Sequence, residues 1–311
     1  MILTVTLNPS LDEWVALERL QAGALNRADS ASRYPGGKGI NVSRVLHELG
    51  GRTTALAIAG GHDGAILGGL LRRTGLPHRF VTVEGATRNN YQIQTRTPRA
   101  LTQINCPGPR VAAADLRRLE ALIRGFRPRP AVLVCSGSLP PGAPAATYYR
   151  LTALACRLGL PAVVDSSGPA LRRSLSARPW LIKPNHHEAQ ELLGVRLRSR
   201  RQFVQAARRL AAMGPEAVIL SLGPDGAVLA ARRQAQAWWA VPPAVRVDSP
   251  VGAGDSLVAG VVLGWQRTRS LPEALRFGVA CGTAAAMTPG TELCRRRDVM
   301  KTLPRVTLHR I

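Results

Sequence analysis

Four stretches of the chain, AVLVCSG (131–137), PAVVDSS (161–167), WLIKPN (180–185) and AVILSLG (217–223), share one pattern. Each is a short, mostly apolar run that ends in glycine, serine, aspartate or asparagine. Two more runs of this kind, ILTVTL (2–7) and TALAIAG (54–60), stand nearer the start. A strand with one wet face alternates apolar and polar residues, whereas a continuous apolar strand is covered on both faces. Between the runs lie amphipathic stretches with helical spacing, such as VSRVLHELG (42–50), DLRRLEALIRG (115–125) and RQFVQAARRLAAMG (201–214). Strands separated by helices pair in parallel through right-handed crossovers. The expected fold is therefore α/β: a three-layer α/β/α domain around a mainly parallel sheet. In such sheets ligands collect beyond the carboxyl ends of the strands, where this chain concentrates its polar residues.

Residues 13–35 and 88–105 break the pattern. They are short, alternating and rich in Thr, Gln, Asn and Arg, as in NYQIQTRT and ALTQIN. They read as antiparallel strands with one wet face, forming a small sheet inserted into a single domain spanning 1–311. Such an insert can serve as a lid, as an interface or as a decorated edge.

Composition excludes several classes. No run approaches the length of a membrane span, and MILTVTLNPSLDEW reads as a first strand rather than a leader. Five scattered cysteines without a CxxC pair argue against a disulfide framework or a zinc site and for a reducing cytoplasm. The formal charge is +23, with arginine clusters at RLRSRR (196–201) and CRRRD (294–298). These clusters lack interleaved aromatics and any DNA-binding motif, so a solvated basic surface is preferred over a nucleic-acid partner. Such a surface also attracts phosphorylated substrates. Only three of the 42 basic residues are lysine, namely Lys38, Lys183 and Lys301. A lysine retained where arginine is the default points to a site needing a compact ammonium. Lys38 and Lys183 both fall in the motif segments below.

The densest chemistry is in DSPVGAGDSLVAG (248–260). Glycines at 252 and 254 let backbone amides approach an anion, and the following helix adds its positive end. Asp255 beside a phosphate is badly placed to bind it, but well placed to take a proton from a hydroxyl attacking phosphorus. A glycine-rich helix cap with an acid in its first turn explains the segment equally well. PGGKGINVSRVLHELGG (35–51) opens a helix on glycines, with Asn41 in the first turn, and lacks the spacing of a P-loop. In WLIKPNHHEAQELLG (180–194), Asn185 and Glu188 stand at capping-box spacing; the same oxygens suit a hydrated Mg²⁺ near phosphates. His186 and His187 read as surface neighbours rather than a metal pair. ILSLGPDGAVLA (219–230) reads as a hairpin.

Taken in order, NPSLD, GGKGINVSRVLHELGG, TRNN, SGSLPPG, VDSSG, KPNHHE, SLGPDGA and DSPVGAGDSLVAG resemble the PfkB family of carbohydrate kinases, within the ribokinase-like superfamily. The resemblance spans nearly the whole chain and is nearest to kinases of phosphorylated ketohexoses. It implies ATP-dependent phosphorylation of a sugar phosphate, fructose 6-phosphate first, with tagatose 6-phosphate and fructose 1-phosphate as alternatives. It implies Asp255 as general base and the amides of Gly252, Ala253 and Gly254 as an anion hole. Lys183, Asn185, Ser221, Gly223, Gly226 and Thr283 would face ATP, and Asn185 with Glu188 would organise Mg²⁺. Asp12, Arg27, Gly37, Lys38, Asn41, Arg88 and Ser138 would hold the sugar phosphate. The inserted strands would be a lid that also forms a homodimer interface. Two residues depart from the pattern. Pro250 stands where the subgroup carries Thr, leaving Ser249 as the neighbouring hydroxyl. Gln103 replaces a second phosphate-binding Arg of the 6-phosphofructokinases.

Overall fold

All six apolar runs are strands of one sheet, and the amphipathic stretches between them are helices on its two faces. The structure is a computed structural model that describes residues 1–311. The chain begins with β1 (Ile2–Thr6), β2 (Ser10–Leu17), β3 (Ser30–Gly36), α1 (Lys38–Glu48), β4 (Thr53–Ala59), α2 (Gly61–Arg73) and β5 (His78–Thr82). It continues through β6 (Arg88–Thr95), β7 (Ala100–Asn105), α3 (Ala113–Gly125), β8 (Val132–Ser136), α4 (Thr147–Arg157), β9 (Ala162–Asp165) and α5 (Gly168–Ser174). Next come β10 (Leu181–Ile182), α6 (His186–Leu193), α7 (Arg200–Ala212), β11 (Ala217–Ser221), β12 (Ala227–Ala231) and β13 (Ala237–Val241). The chain closes with α8 (Ala253–Thr268), α9 (Leu271–Ala286), α10 (Arg296–Thr302) and β14 (Thr307–Arg310).

The large sheet has ten strands in the order β14-β13-β12-β11-β10-β9-β8-β1-β4-β5. From β11 to β5 all neighbours are parallel; β12, β13 and β14 add an antiparallel edge. Side chains alternate between two cores, which is why these strands read as continuous apolar runs. Leu3, Val5, Leu133 and Cys135 enter one core, and Ile2, Val132 and Val134 the other. Burying each such aliphatic side chain is worth roughly 1.5–3 kcal/mol. The β10 ladder is only two residues long because Pro184 has no N–H to give and Asn185 already caps α6. No helix is long and apolar enough to cross a membrane.

The chain leaves β1 toward β4 and β5, then returns to the other side of β1 at β8. That reversal opens a crevice at the carboxyl ends of β1 and β8. Beside it stands a second sheet of four strands, β3-β2-β6-β7. It is slightly longer than the sequence pattern indicated, running from Ser10 to Gly36 in its first part. The expectation of purely antiparallel pairing is corrected here, since β2 and β6 pair in parallel over eight residues, Ser10↔Arg88 to Leu17↔Thr95. Both follow parallel strands of the large sheet, β1 and β5, and so leave it in the same direction. Their hairpin partners β3 and β7 return antiparallel.

Candidate active site

The glycine turn at 252–254 starts α8, with Gly252 as its N-cap at φ 76°. A side chain there would be strained and would collide with Leu293. The amides of Gly252, Gly254 and Asp255 have no acceptor within the protein, while Ala253 N–H reaches Pro250 O at 3.4 Å. Three free N–H groups at the positive end of a sixteen-residue helix make an anion cradle. Asp255 lies in the first turn of the same helix and is buried. Its Oδ2 accepts from Asn41 Nδ2 at 2.8 Å, across 214 residues of sequence. Burial pushes the Asp255 carboxyl up to about 6, helped by nearby Asp165 and opposed by Lys38, Asn41 and Lys183.

Asp165, at the end of β9, is fully buried. Lys183 Nζ lies 3.2 Å and Lys38 Nζ 3.6 Å from its Oδ1, and Ser136 Oγ donates to Oδ2 at 3.2 Å. Burial alone would raise this carboxyl, but Lys183 and Lys38 hold it below the usual range. Asp165 in turn pushes the Lys38 ammonium up, with Asp255 and Glu188 adding to the effect. Two of the chain's three lysines thus meet at one carboxylate.

At the start of α6 the capping box is complete: Glu188 N donates to Asn185 Oδ1 at 2.9 Å, and Asn185 N to Glu188 Oε2 at 2.8 Å. Glu188 Oε1 and Asn185 Nδ2 have no protein partner. No group of three His, Cys, Asp or Glu residues could hold a metal ion. A donor set this small fits an ion that keeps its water and takes phosphate oxygens, as Mg²⁺ does. The rings of His186 and His187 lie with centroids 3.8 Å apart, tilted by 41°, and burial together with His187 lowers the His186 basicity.

A second group gathers at the base of the small sheet. Asp12 is buried and accepts from Ser10 Oγ at 2.7 Å and Asn90 Nδ2 at 3.2 Å. Gly36 lies so close that any Cβ there would strike the Asp12 carboxyl. Burial raises Asp12, against the hydrogen bonds and the charges of Arg88 and Arg44. Arg88 donates to Asn8 O at 3.0 Å and Cys106 O at 3.1 Å, and Asn8 Nδ2 donates to Ser138 Oγ at 3.2 Å. Arg88 Nε and Asn8 Oδ1 are buried without a partner in the protein. Gln103 Nε2 is tied to Gln92 Oε1 at 2.7 Å. Gly37 caps α1 between the two groups. Arg27 stays apart, exposed in the β2–β3 connection.

On the other side of Asn185, its backbone bridges to Ser221, and Gly223 and Gly226 bracket the short turn into β12. Thr283, on α9, donates to Val279 O; its neighbour Gly282 packs against Ala253 O. Pro250 is exposed, while Ser249 is turned inward, 2% exposed, with its Oγ accepting from Val251 N. Asp165, Asn8, Asn90 and Arg44 were not singled out as site residues. The first three lie inside VDSSG, NPSLD and TRNN, so the signal was present; Arg44 lies within GGKGINVSRVL but looks like one more surface arginine.

A family model described as pfkB family carbohydrate kinase matches residues 5–297. The chain is 36% identical to the 1-phosphofructokinase of Bacillus subtilis, over 100% of both chains. It is also 36% identical to the ATP-dependent 6-phosphofructokinase isozyme 2 of Mycobacterium tuberculosis, over 96% of this chain and 87% of that one. Among solved structures, phosphofructokinase-2 from Escherichia coli in complex with substrates and products superposes with a TM-score of 0.92 at 35% identity, covering 98% of each chain. Ribokinase from Arabidopsis thaliana shares the fold with a TM-score of 0.77 at 21% identity, covering 97% of this chain and 98% of that one.

Proposed function

The chain belongs to the pfkB family of carbohydrate kinases, and on that premise we propose that it transfers the γ-phosphoryl group of ATP to a hydroxyl of a phosphorylated ketohexose. The observation that carries this reading is Asp255: a buried carboxylate whose Oδ2 is held by Asn41, set against free helix-start amides and the Lys38–Asp165–Lys183 group. In the step, the acceptor oxygen forms a bond to phosphorus while its proton passes to Asp255 Oδ1. The bond from phosphorus to the bridging oxygen breaks, and ADP leaves. With a carboxyl near 6, Asp255 is largely ionised at neutral pH and able to take that proton. The amides of Gly252 and Gly254, with Ala253 when its long bond to Pro250 yields, stabilise charge on the transferring group. Lys183 and Lys38 neutralise phosphate oxygens as point charges.

Mg²⁺, held through water by Asn185 and Glu188, would supply further charge neutralisation at the nucleotide phosphates. Ser221, Gly223, Gly226 and Thr283 line the nucleotide side. Asp12, Arg88, Asn41 and Ser138 hold the sugar phosphate, with Asn90 and Asn8 behind them. The small sheet then acts as a lid over the acceptor. Its outer face carries Val15, Tyr91, Ile93 and Ile104 in adjacent register, with Tyr91 40% and Ile104 47% exposed. An apolar face of that kind supports pairing of two copies through their lids.

Fructose 6-phosphate is the first reading for the acceptor. A second, fructose 1-phosphate, is favoured by the neutral Gln103–Gln92 pair where a second guanidinium would serve the phosphate. An ADP-release assay with fructose 6-phosphate, fructose 1-phosphate, tagatose 6-phosphate and free fructose tests both readings. A kcat/KM for one sugar phosphate at least about tenfold above free fructose is expected. Release of ADP with none of the four would remove the proposal.

A further inference from the structure

We propose that Arg44 is a positioning residue for phosphoryl transfer: it locks the Asn41 side-chain amide in one orientation, so that one oxygen of Asp255 is held and the other is left for the acceptor hydroxyl. The proposal rests on the reading of Asp255 as the base.

Arg44 and Asn41 are three residues apart on α1 and share a face of that helix. Arg44 Nη1 donates to Asn41 Oδ1 at 3.3 Å, and Asn41 Nδ2 donates to Asp255 Oδ2 at 2.8 Å. A guanidinium has donors only and an ionised carboxylate has acceptors only. An amide between them has a single orientation that satisfies both. Turned over, it would set its carbonyl oxygen against the carboxylate and its NH₂ against the guanidinium. Without Arg44 only the Asp255 carboxylate opposes that rotation, and only while it is ionised. The same guanidinium donates to Pro35 O at 3.1 Å, which fastens it to the end of β3.

The surrounding charges are consistent with this task. Arg44 is faced by Asp12 from β2, Tyr34 from β3, Glu292 from the segment after α9, and Asp255 from α8. Asp255 is faced by Lys38 from α1, Lys183 after β10, and Asp165 from β9. Removing Arg44 withdraws a positive charge and frees the amide to present its oxygen. Both changes favour the protonated form of Asp255.

The experiment is a set of pH profiles of kcat and kcat/KM for wild type, Arg44→Met, Asn41→Ala, the double variant, and Asp255→Asn. Arg44→Met is expected to move the acid limb about one pH unit upward. Its kcat at pH 7 should fall about tenfold, while the KM for the sugar phosphate stays within about threefold. In the double variant Arg44→Met adds nothing to Asn41→Ala, because the two act as one unit. If Arg44→Met does not fold, Arg44→Lys keeps a charge and a donor without the planar fork and shows the same upward shift on a smaller scale. An acid limb that stays at its wild-type position, or effects that add in the double variant, would leave Arg44 as a pin between α1 and β3 and overturn the inference. If Asp255→Asn keeps its turnover, the base assignment fails and the inference with it. If Asp255→Asn is inactive while Arg44→Met titrates as wild type does, the inference alone fails.

Discussion

The carboxyl edge of the large sheet and the inner face of the small one handle charge in opposite ways. At the large edge, Asp165, Asp255 and Lys183 are buried together, and Lys38, its side chain 41% exposed, closes the cluster from the solvent side. On the small sheet, the inner face carries neutral amides, Asn90, Gln92 and Gln103, beside a single buried acid, Asp12, with Arg88 at its base. A cluster of buried charges is costly to assemble and rigid once made; it suits a step in which charge moves. Neutral amides read the shape and hydroxyl pattern of a ligand and let it go again. In the proposed kinase, the large edge therefore governs turnover and the small sheet governs acceptor affinity.

The strongest test of that division is Asp255→Asn. Turnover is expected to fall about 10²- to 10⁴-fold, the range for loss of a general base, with little change in either KM. The same substitution should stabilise the fold. Asp255 titrates near 6 when folded against an ordinary 3.8, so the folded state binds its proton more tightly than the unfolded chain does. The burial of its charge therefore opposes folding fully above pH 6, weakens below it, and vanishes below about 3.8. Removing the charge is worth up to about 3 kcal/mol at pH 8, seen as a higher urea midpoint than wild type. For the wild-type enzyme the same value predicts that kcat/KM drops tenfold per pH unit below about 6. Asp255→Asn that unfolds more easily than wild type at pH 8 would break the account of strain at the large edge.

Next in size is Gly252→Ala. The N-cap at φ 76° disfavours any L side chain, and the added methyl meets Leu293. The free amides must shift, and losing one such donor costs about 10²-fold or more in kcat. Single-turnover measurements at saturating substrates separate this from weaker binding.

What could be read in advance follows the same boundary. The large sheet was legible because continuous apolar runs admit few other environments. The direction of β2 against β6 was not, since it depends on where two distant strands leave the large sheet rather than on either segment. Asp255 was legible as an acid beside an anion turn, but a helix cap has the same spelling. Its donor Asn41 lies 214 residues away, and only the fold brings them together. Asp165 sat in full view in VDSSG, and nothing local marked it as the meeting point of two lysines. That Ser249 Oγ accepts from Val251 N is a detail of turn geometry that no spacing encodes.

On the small sheet, Asn90→Ala removes a donor to Asp12 and a contact to Cys106 N. The KM for the sugar phosphate is expected to rise about tenfold, the size of one lost hydrogen bond to a charged group. The KM for ATP and kcat should stay within about twofold. A fall in kcat as large as the rise in KM would show that the two regions are not separable.

The smallest effect concerns the single ion pair that joins them. Arg99, in the β6–β7 turn, donates to Asp248 at 2.8 Å, just before the anion turn. Both side chains are open to solvent, so the pair contributes at most about 1 kcal/mol and is screened by salt. Arg99→Ala should leave the urea midpoint unchanged. If the pair serves to hold the small sheet over the acceptor, the KM for the sugar phosphate rises about twofold at low salt, as expected for an exposed pair. Wild type and variant then converge in about 1 M salt, where the screening length falls to about 3 Å. A twofold difference that persists in high salt would mean that Arg99 acts through packing of the turn. The two sheets would then be coupled by shape, and the division between turnover and affinity would hold without any electrostatic latch.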